Sequence, residues 1–97
     1  LRKKSKTFGK VFSIILSKKN ALGLFIPAGF AHAYYSFDKE NIIYYKLDNY
    51  YNPKFESGII FSDPELNLKI PTKNLKVSEK DKQLMTFEQF KRDIKYI

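Results

Sequence analysis

Apolar and aromatic residues fall into short runs along the first two-thirds of this chain, separated by clusters of turn-forming residues. Val11 to Leu16 is β-branched and aromatic, with only Ser13 interrupting. Leu22 to Ile26, His32 to Phe37, Asn41 to Leu47 and Gly58 to Phe61 follow at short intervals. Between them stand Ser17-Lys18-Lys19-Asn20, Pro27-Ala28-Gly29, Asp38-Lys39-Glu40-Asn41 and the stretch Asn49 to Lys54. Runs of this composition bounded by such clusters predict β-strands. Their spacing predicts a mainly β fold, an antiparallel sandwich or jelly roll, and leaves no length for helical crossovers between parallel strands.

Helical patterning is confined to the end of the chain. Thr86-Phe87-Glu88-Gln89 has the form of a capping box, and Phe87, Phe90 and Ile94 recur at i, i+3 and i+7 on one face. The pattern divides the chain into a β portion over 1–85 and a C-terminal helix over 86–97. A short helical turn is also expected at Ser78, with Asp81 at the box position. Asp63-Pro64 and Ile70-Pro71 mark irregular crossings between elements.

The reversal at Pro27-Ala28-Gly29 is the most informative of the turns. Pro27 fixes φ and Gly29 permits φ > 0, so the pair favours a tight turn. The turn leads directly into His32, the only histidine in the 97 residues. A hairpin running from one buried strand into another would aim that ring between two sheets, where a small β-barrel holds a ligand.

Composition narrows the class. A chain of 97 residues makes one domain at most and buries only about two-thirds of its unfolded surface. With 43% hydrophobic residues it is globular rather than disordered. No apolar run is long enough for a membrane span, and no signal-peptide pattern is present. The chain has no cysteine, which excludes disulfides and thiolate metal sites and fits a cytoplasmic setting. The net charge of +8 is unevenly placed. Residues 1–20 hold seven cations (Arg2, Lys3, Lys4, Lys6, Lys10, Lys18, Lys19) and no acid, whereas residues 21–97 hold eleven cations and ten acids. The basicity thus belongs to one terminal segment, as a solvated lysine-rich end or an attractor of anionic ligands. A nucleic-acid-binding domain spreads its cations over a face.

In sequence, Arg2-Lys3-x-Ser5-x-Thr7-Phe8-Gly9 is followed by Leu16-Ser17-x-x-Asn20 and Ile26-Pro27-x-Gly29-Phe30-Ala31-His32. Tyr45-Lys46, Asn49-Tyr50-Tyr51-x-Pro53-x-x-Glu56, Asp63-Pro64 and Leu75-x-x-Ser78-x-Lys80-Asp81 come next. In this order and spacing the chain resembles the C-terminal half of the dTDP-4-dehydrorhamnose 3,5-epimerases, cupin-type sugar-nucleotide epimerases. The resemblance runs from about Arg2 to the region of Asp81. It departs from the family's pattern at Ala33-Tyr34, Phe61 and Ile70, where the family commonly has Gly-Phe, Trp and Trp. A larger departure is that nothing here corresponds to the family's Arg-Gly-Leu-His motif, which carries its general-base histidine, or to the nearby enolate-stabilising lysine.

The resemblance implies a cupin-like antiparallel jelly roll and an epimerisation at C3 and/or C5 of a 4-keto-6-deoxy sugar nucleotide. The C–H bonds at C3 and C5 are acidified by the carbonyl, and inversion needs a base on one face, an acid on the other and donors at the enolate oxygen. By resemblance Tyr45 is the proton donor, and Asp81 is the carboxylate that orients the base histidine. His32, Tyr51, Glu56 and Lys80 match substrate-binding positions, with Tyr51 stacking on the thymine and Lys80 facing the diphosphate. Read without the family, Tyr45 is one of seven tyrosines, His32 a packed core residue, Asp81 a helix cap, and Glu56 and Lys80 solvated charges. No cofactor is implied. Other cupins hold a metal at the His32 position, but that takes three more His/Glu ligands and this chain has no second histidine, so no metal is expected.

Five or six strands are too few for a closed jelly roll of about eight. The chain is therefore expected either to complete its sheets with a partner or, as its non-Met start favours, to be the C-terminal portion of a longer protein, inactive alone for want of its base. The resemblance implies a homodimer, and unpaired strand edges would associate in any case. The implied partner is a dTDP-4-keto-6-deoxyhexose or related sugar nucleotide, with neither nucleic acid nor membrane. Two other classes compete: a cupin that binds a sugar or nucleotide without turnover, and a β-barrel that binds single-stranded nucleic acid through aromatics and the basic end.

Overall fold

A computed structural model describes residues 1–93. Its regular elements are a short 3-10 turn at Pro53–Phe55, helix α1 at Glu79–Lys82 and helix α2 at Phe87–Arg92. Ile94, expected on the apolar face of the last helix, lies outside the described residues.

The most ordered packing centres on α2. Thr86 Oγ1 accepts from Gln89 N at 3.1 Å, and Gln89 Oε1 accepts from Thr86 N at 2.8 Å, so two otherwise orphaned donors are satisfied reciprocally. Phe87 and Phe90 stack at 6.2 Å between ring centroids and are each 5% exposed, forming the buried apolar core. Phe8 packs on Phe87 at 5.4 Å, and the Lys91 ammonium lies 5.1 Å above the same ring. Lys3 Nζ donates to Lys91 O at 2.8 Å, so the N-terminal segment touches this helix at Lys91 as well as at Phe87. The segment around residue 60 meets it from another side, where Ile60 N donates to Met85 O at 2.8 Å.

The expected mainly β, cupin-like antiparallel jelly roll is not what these residues form. Among the described residues there is no strand, and the one sheet-like contact is an isolated parallel bridge between Ile59 and Met85. The runs assigned to strands from Val11 to Leu16, Leu22 to Ile26, His32 to Phe37 and Asn41 to Leu47 stand outside any ladder. The reason is physical. A strand is stable only when neighbours take up its backbone groups and a second layer covers its apolar face. Here neither is supplied: Phe25 is 87% exposed, Ile42 100% and Tyr50 97%. The radius of gyration, 14.5 Å, exceeds the roughly 12.5 Å of a compact chain of this length, in keeping with so thin a core.

The turns are nonetheless made as their residues dictate. Ser17 N donates to Asn20 Oδ1 at 3.0 Å and Asn20 N to Ser17 Oγ at 3.1 Å. Asn20 Nδ2 donates to Ile15 O at 2.8 Å, closing the reversal between the first two apolar runs. Gly29 takes φ +91° in the Pro27 turn, and Gly9 takes φ +74° where the chain passes under Phe87. No helix among the described residues is long and apolar enough to cross a membrane.

Candidate functional site

Two capped turns bring distant residues together. Asn52 Oδ1 accepts from Lys54 N at 3.1 Å and starts the 3-10 turn, which delivers Glu56 at its exit. Ser78 Oγ accepts from Asp81 N at 3.1 Å and starts α1, which carries Lys80 and Asp81. Glu56 and Lys80, 24 positions apart, form an ion pair with a direct hydrogen bond. That bond, followed by the attraction of the Glu56 charge, raises the Lys80 ammonium above its ordinary 10.5, with smaller contributions from Tyr51 and Asp81.

Beside this pair lies an open cavity of about 510 Å³, walled by Tyr50, Tyr51, Phe55 and Glu56 together with Asn49 and Asn52. It offers aromatic faces, amide groups and a carboxylate, and the Lys80 ammonium is linked to it through its pair with Glu56. Such a set suits a flat ring, a polyol and an anionic group in one ligand. Tyr51, Glu56, Lys80 and Asp81, singled out in the sequence, thus share one neighbourhood.

His32 and Tyr45 stand apart from it. Both side chains are exposed, Tyr45 by 70%, and neither lines the cavity. Neither side chain makes a hydrogen bond or ion pair with a described residue. His32 follows a turn that is held from outside: Leu1 N donates to Gly29 O at 2.7 Å, and Arg2 donates to Ala28 O. The Arg2 guanidinium also covers the Phe30 ring at 5.6 Å. The sequence gives no sign of this contact, because nothing in the spacing of residue 2 and residue 28 pairs them. No group of three or more metal-ligating side chains occurs among the described residues.

Comparison with known proteins bears on what this neighbourhood serves. A family model described as dTDP-4-dehydrorhamnose 3,5-epimerase matches residues 1–89. The chain is 41% identical over 81 residues to a dTDP-4-dehydrorhamnose 3,5-epimerase of Shigella flexneri, across 84% of this chain and 45% of the relative. Its likeness to the enzyme of that name from Methanothermobacter thermautotrophicus is 39% over 85 residues, 84% of this chain and 46% of the relative. With the one from Escherichia coli it is 36% over 93 residues, 95% of this chain and 50% of the relative. No solved structure matches the chain to a significant degree. The chain spans about half the length of these curated relatives. It belongs to the dTDP-4-dehydrorhamnose 3,5-epimerase family.

Proposed function

We propose that this chain supplies the acid side and part of the nucleotide-binding surface of a sugar-nucleotide 3,5-epimerase. Its substrate is a dTDP-4-keto-6-deoxyhexose, handled in the cytoplasm by a homodimer. A base removes the proton at C3 or C5, and the C–H electron pair passes into the enolate. Tyr45 returns a proton to the opposite face; the protonated base then releases its proton to solvent and the phenolate takes one up, which closes the cycle. The base is a histidine outside these 97 residues, oriented by Asp81. His32 contacts the sugar, Glu56 accepts from its hydroxyls, Tyr51 stacks on the base and Lys80 answers the diphosphate. Family membership supports the reading, and the observation that carries it is the Glu56–Lys80 pair beside Tyr51 at the rim of the cavity.

A second reading, binding of a sugar nucleotide without turnover, is favoured by one feature. Tyr51, Glu56 and Lys80 cluster, while the proposed acid Tyr45 stands outside them, as does His32. Incubation with dTDP-4-keto-6-deoxyglucose in deuterated water separates the two. The 97 residues alone are expected to introduce no deuterium; a chain extended upstream to include the base histidine is expected to label C3, C5 or both. Labelling by the 97 residues alone would remove the case for an external base. No labelling by the extended chain would leave binding without turnover.

A further inference from the structure

Arg2 opens a motif to which the proposed chemistry gives no task. Its contacts converge on one place, the turn that leads into His32. The turn's own closing bond, Phe30 N to Pro27 O, is long at 3.4 Å and holds it weakly. The stronger ties come from outside. Arg2 donates to Ala28 O and lies over Phe30, and it fits so closely against Gly29 that a Cβ there would sit 2.7 Å from Nε and 2.9 Å from Cγ. Gly29 is favoured by its φ of +91°, and the Arg2 side chain packs closely over it. His32 lies two residues beyond Phe30 in a run with no ladder bonds, so the turn is its nearest anchored point.

We propose that Arg2 is a positioning residue: its guanidinium clamps the Pro27–Phe30 turn and thereby sets where the His32 ring is presented to the sugar nucleotide. This rests on the reading of His32 as a substrate contact. Arginine suits the task because a planar guanidinium donates in its plane while its face covers an aromatic ring, which a lysine ammonium does only in part. The clamp joins residues 26 positions apart, so it fixes the turn against the N-terminal segment, which is itself tied to α2 through Lys3 and Phe8.

Because His32 is the only histidine, its imidazole signals in a nitrogen–proton NMR correlation report the claim without ambiguity. The full chain is compared with Arg2→Met, which keeps length and loses the donors, and with Arg2→Lys. In the absence of ligand, Arg2→Met is expected to shift or split the His32 ring signals, with Arg2→Lys recovering part of the change. The Phe87 ring signals, which report the core, are expected to stay in place. With dTDP-glucose as probe, Arg2→Met is expected to weaken binding roughly tenfold, the scale of one lost hydrogen bond from a charged donor. His32 signals identical to the parent's would overturn the proposal, as would Phe87 signals that move with them in both Arg2 variants. If Arg2→Met does not fold, Phe30→Leu decides. It removes the ring under the guanidinium and should shift His32 in the same direction by less; an unmoved His32 signal counts against the clamp. A parent chain that ignores dTDP-glucose weighs against the epimerase reading, and the ligand-free His32 comparison still decides the role of Arg2.

Discussion

The buried carboxylate of Asp63 accepts a hydrogen bond at 2.8 Å from the backbone nitrogen of Phe87, the first residue of α2. Its other oxygen accepts from Glu65 N at 2.9 Å. One side chain thus closes its own Asp-Pro turn and ties it to a helix 24 positions away, at the end where a negative charge is favoured. Asp63 is 6% exposed, so its removal leaves a desolvated donor at the start of α2. Asp63→Ala is expected to destabilise the α2 docking by about 1–3 kcal/mol. Asp63→Asn, which keeps an acceptor, should cost less. Amide exchange at Phe90 and Lys91 reads the effect locally; unchanged protection in Asp63→Ala would contradict it.

Gly9 packs against the Phe87 ring. With φ +74°, and with a Cβ that would stand 3.0 Å from Phe87 Cζ, an alanine there meets both backbone strain and a crowded core. Gly9→Ala is expected to destabilise by about 2 kcal/mol, strain and overpacking combined. The upfield ring shifts of Phe8 and Phe87 should diminish together. Retention of both the shifts and the urea midpoint would show that the ring moves aside without cost.

What could be read from the sequence was local. Thr86 and Gln89 cap a helix, Pro27 and Gly29 make a turn, and Ser17 and Asn20 close another, because each of these is a bond between near neighbours. The strand expectation fails because β-branched and aromatic runs report that a segment would fit a sheet, not that a partner strand is present. Ile42 and Phe25 satisfy the first condition and stand exposed for want of the second. In the site, Tyr51 and Glu56 flank one short turn and Lys80 and Asp81 lie on one helix, so their proximity within each pair follows from sequence. The Glu56–Lys80 bond and the Arg2–Ala28 bond join segments far apart, and no local pattern encodes them.

Charges along α2 make its stability depend on pH. Hydrogen bonds from Lys91 and then Arg92, at 3.2 Å and 3.1 Å, hold Glu88 below its ordinary 4.5. A lowered carboxylate contributes stability above 4.5 and loses it as pH falls through the lower folded value. Lys91 is raised above 10.5 by Glu65 first and Glu88 second, so its contribution is full below 10.5 and is lost as pH rises through the raised value. Helical Cα shifts at Phe90 and Lys91 should therefore be steady between these limits and fall away outside both. Concentrated salt at neutral pH should reproduce part of the loss, because these groups face solvent. Shifts flat from pH 3 to pH 7 would show that Glu88 does not support the helix.

The Glu56–Lys80 pair is solvent-facing, and its importance is expected in binding rather than in folding. Glu56→Gln should return the Lys80 titration toward 10.5 with no measurable change in melting, since the hydrogen bond from Glu56 is the leading cause of the shift. Lys80→Met should weaken dTDP binding and flatten its dependence on salt, the behaviour of a lost point charge facing a diphosphate. Equal affinity and equal salt slope in Lys80→Met would remove that residue from the nucleotide site.

Tyr45 gives the sharpest separation of chemistry from architecture. Its side chain is 70% exposed, and its hydroxyl makes no hydrogen bond with a described residue, so Tyr45→Phe should leave folding untouched. Loss of a general acid lowers turnover by about 10²–10⁴-fold. In the chain extended to include the base, Tyr45→Phe is expected to lower kcat on that scale with KM nearly unchanged, because Tyr51, Glu56 and Lys80 are left in place. Proton abstraction itself needs only the base, so exchange at the abstracted face can persist while net inversion fails. Following deuterium content and product configuration together reads the two steps apart. If inversion proceeds at the parent's rate in Tyr45→Phe, the proton comes from another group, and Tyr45 is one more aromatic at the surface of the chain.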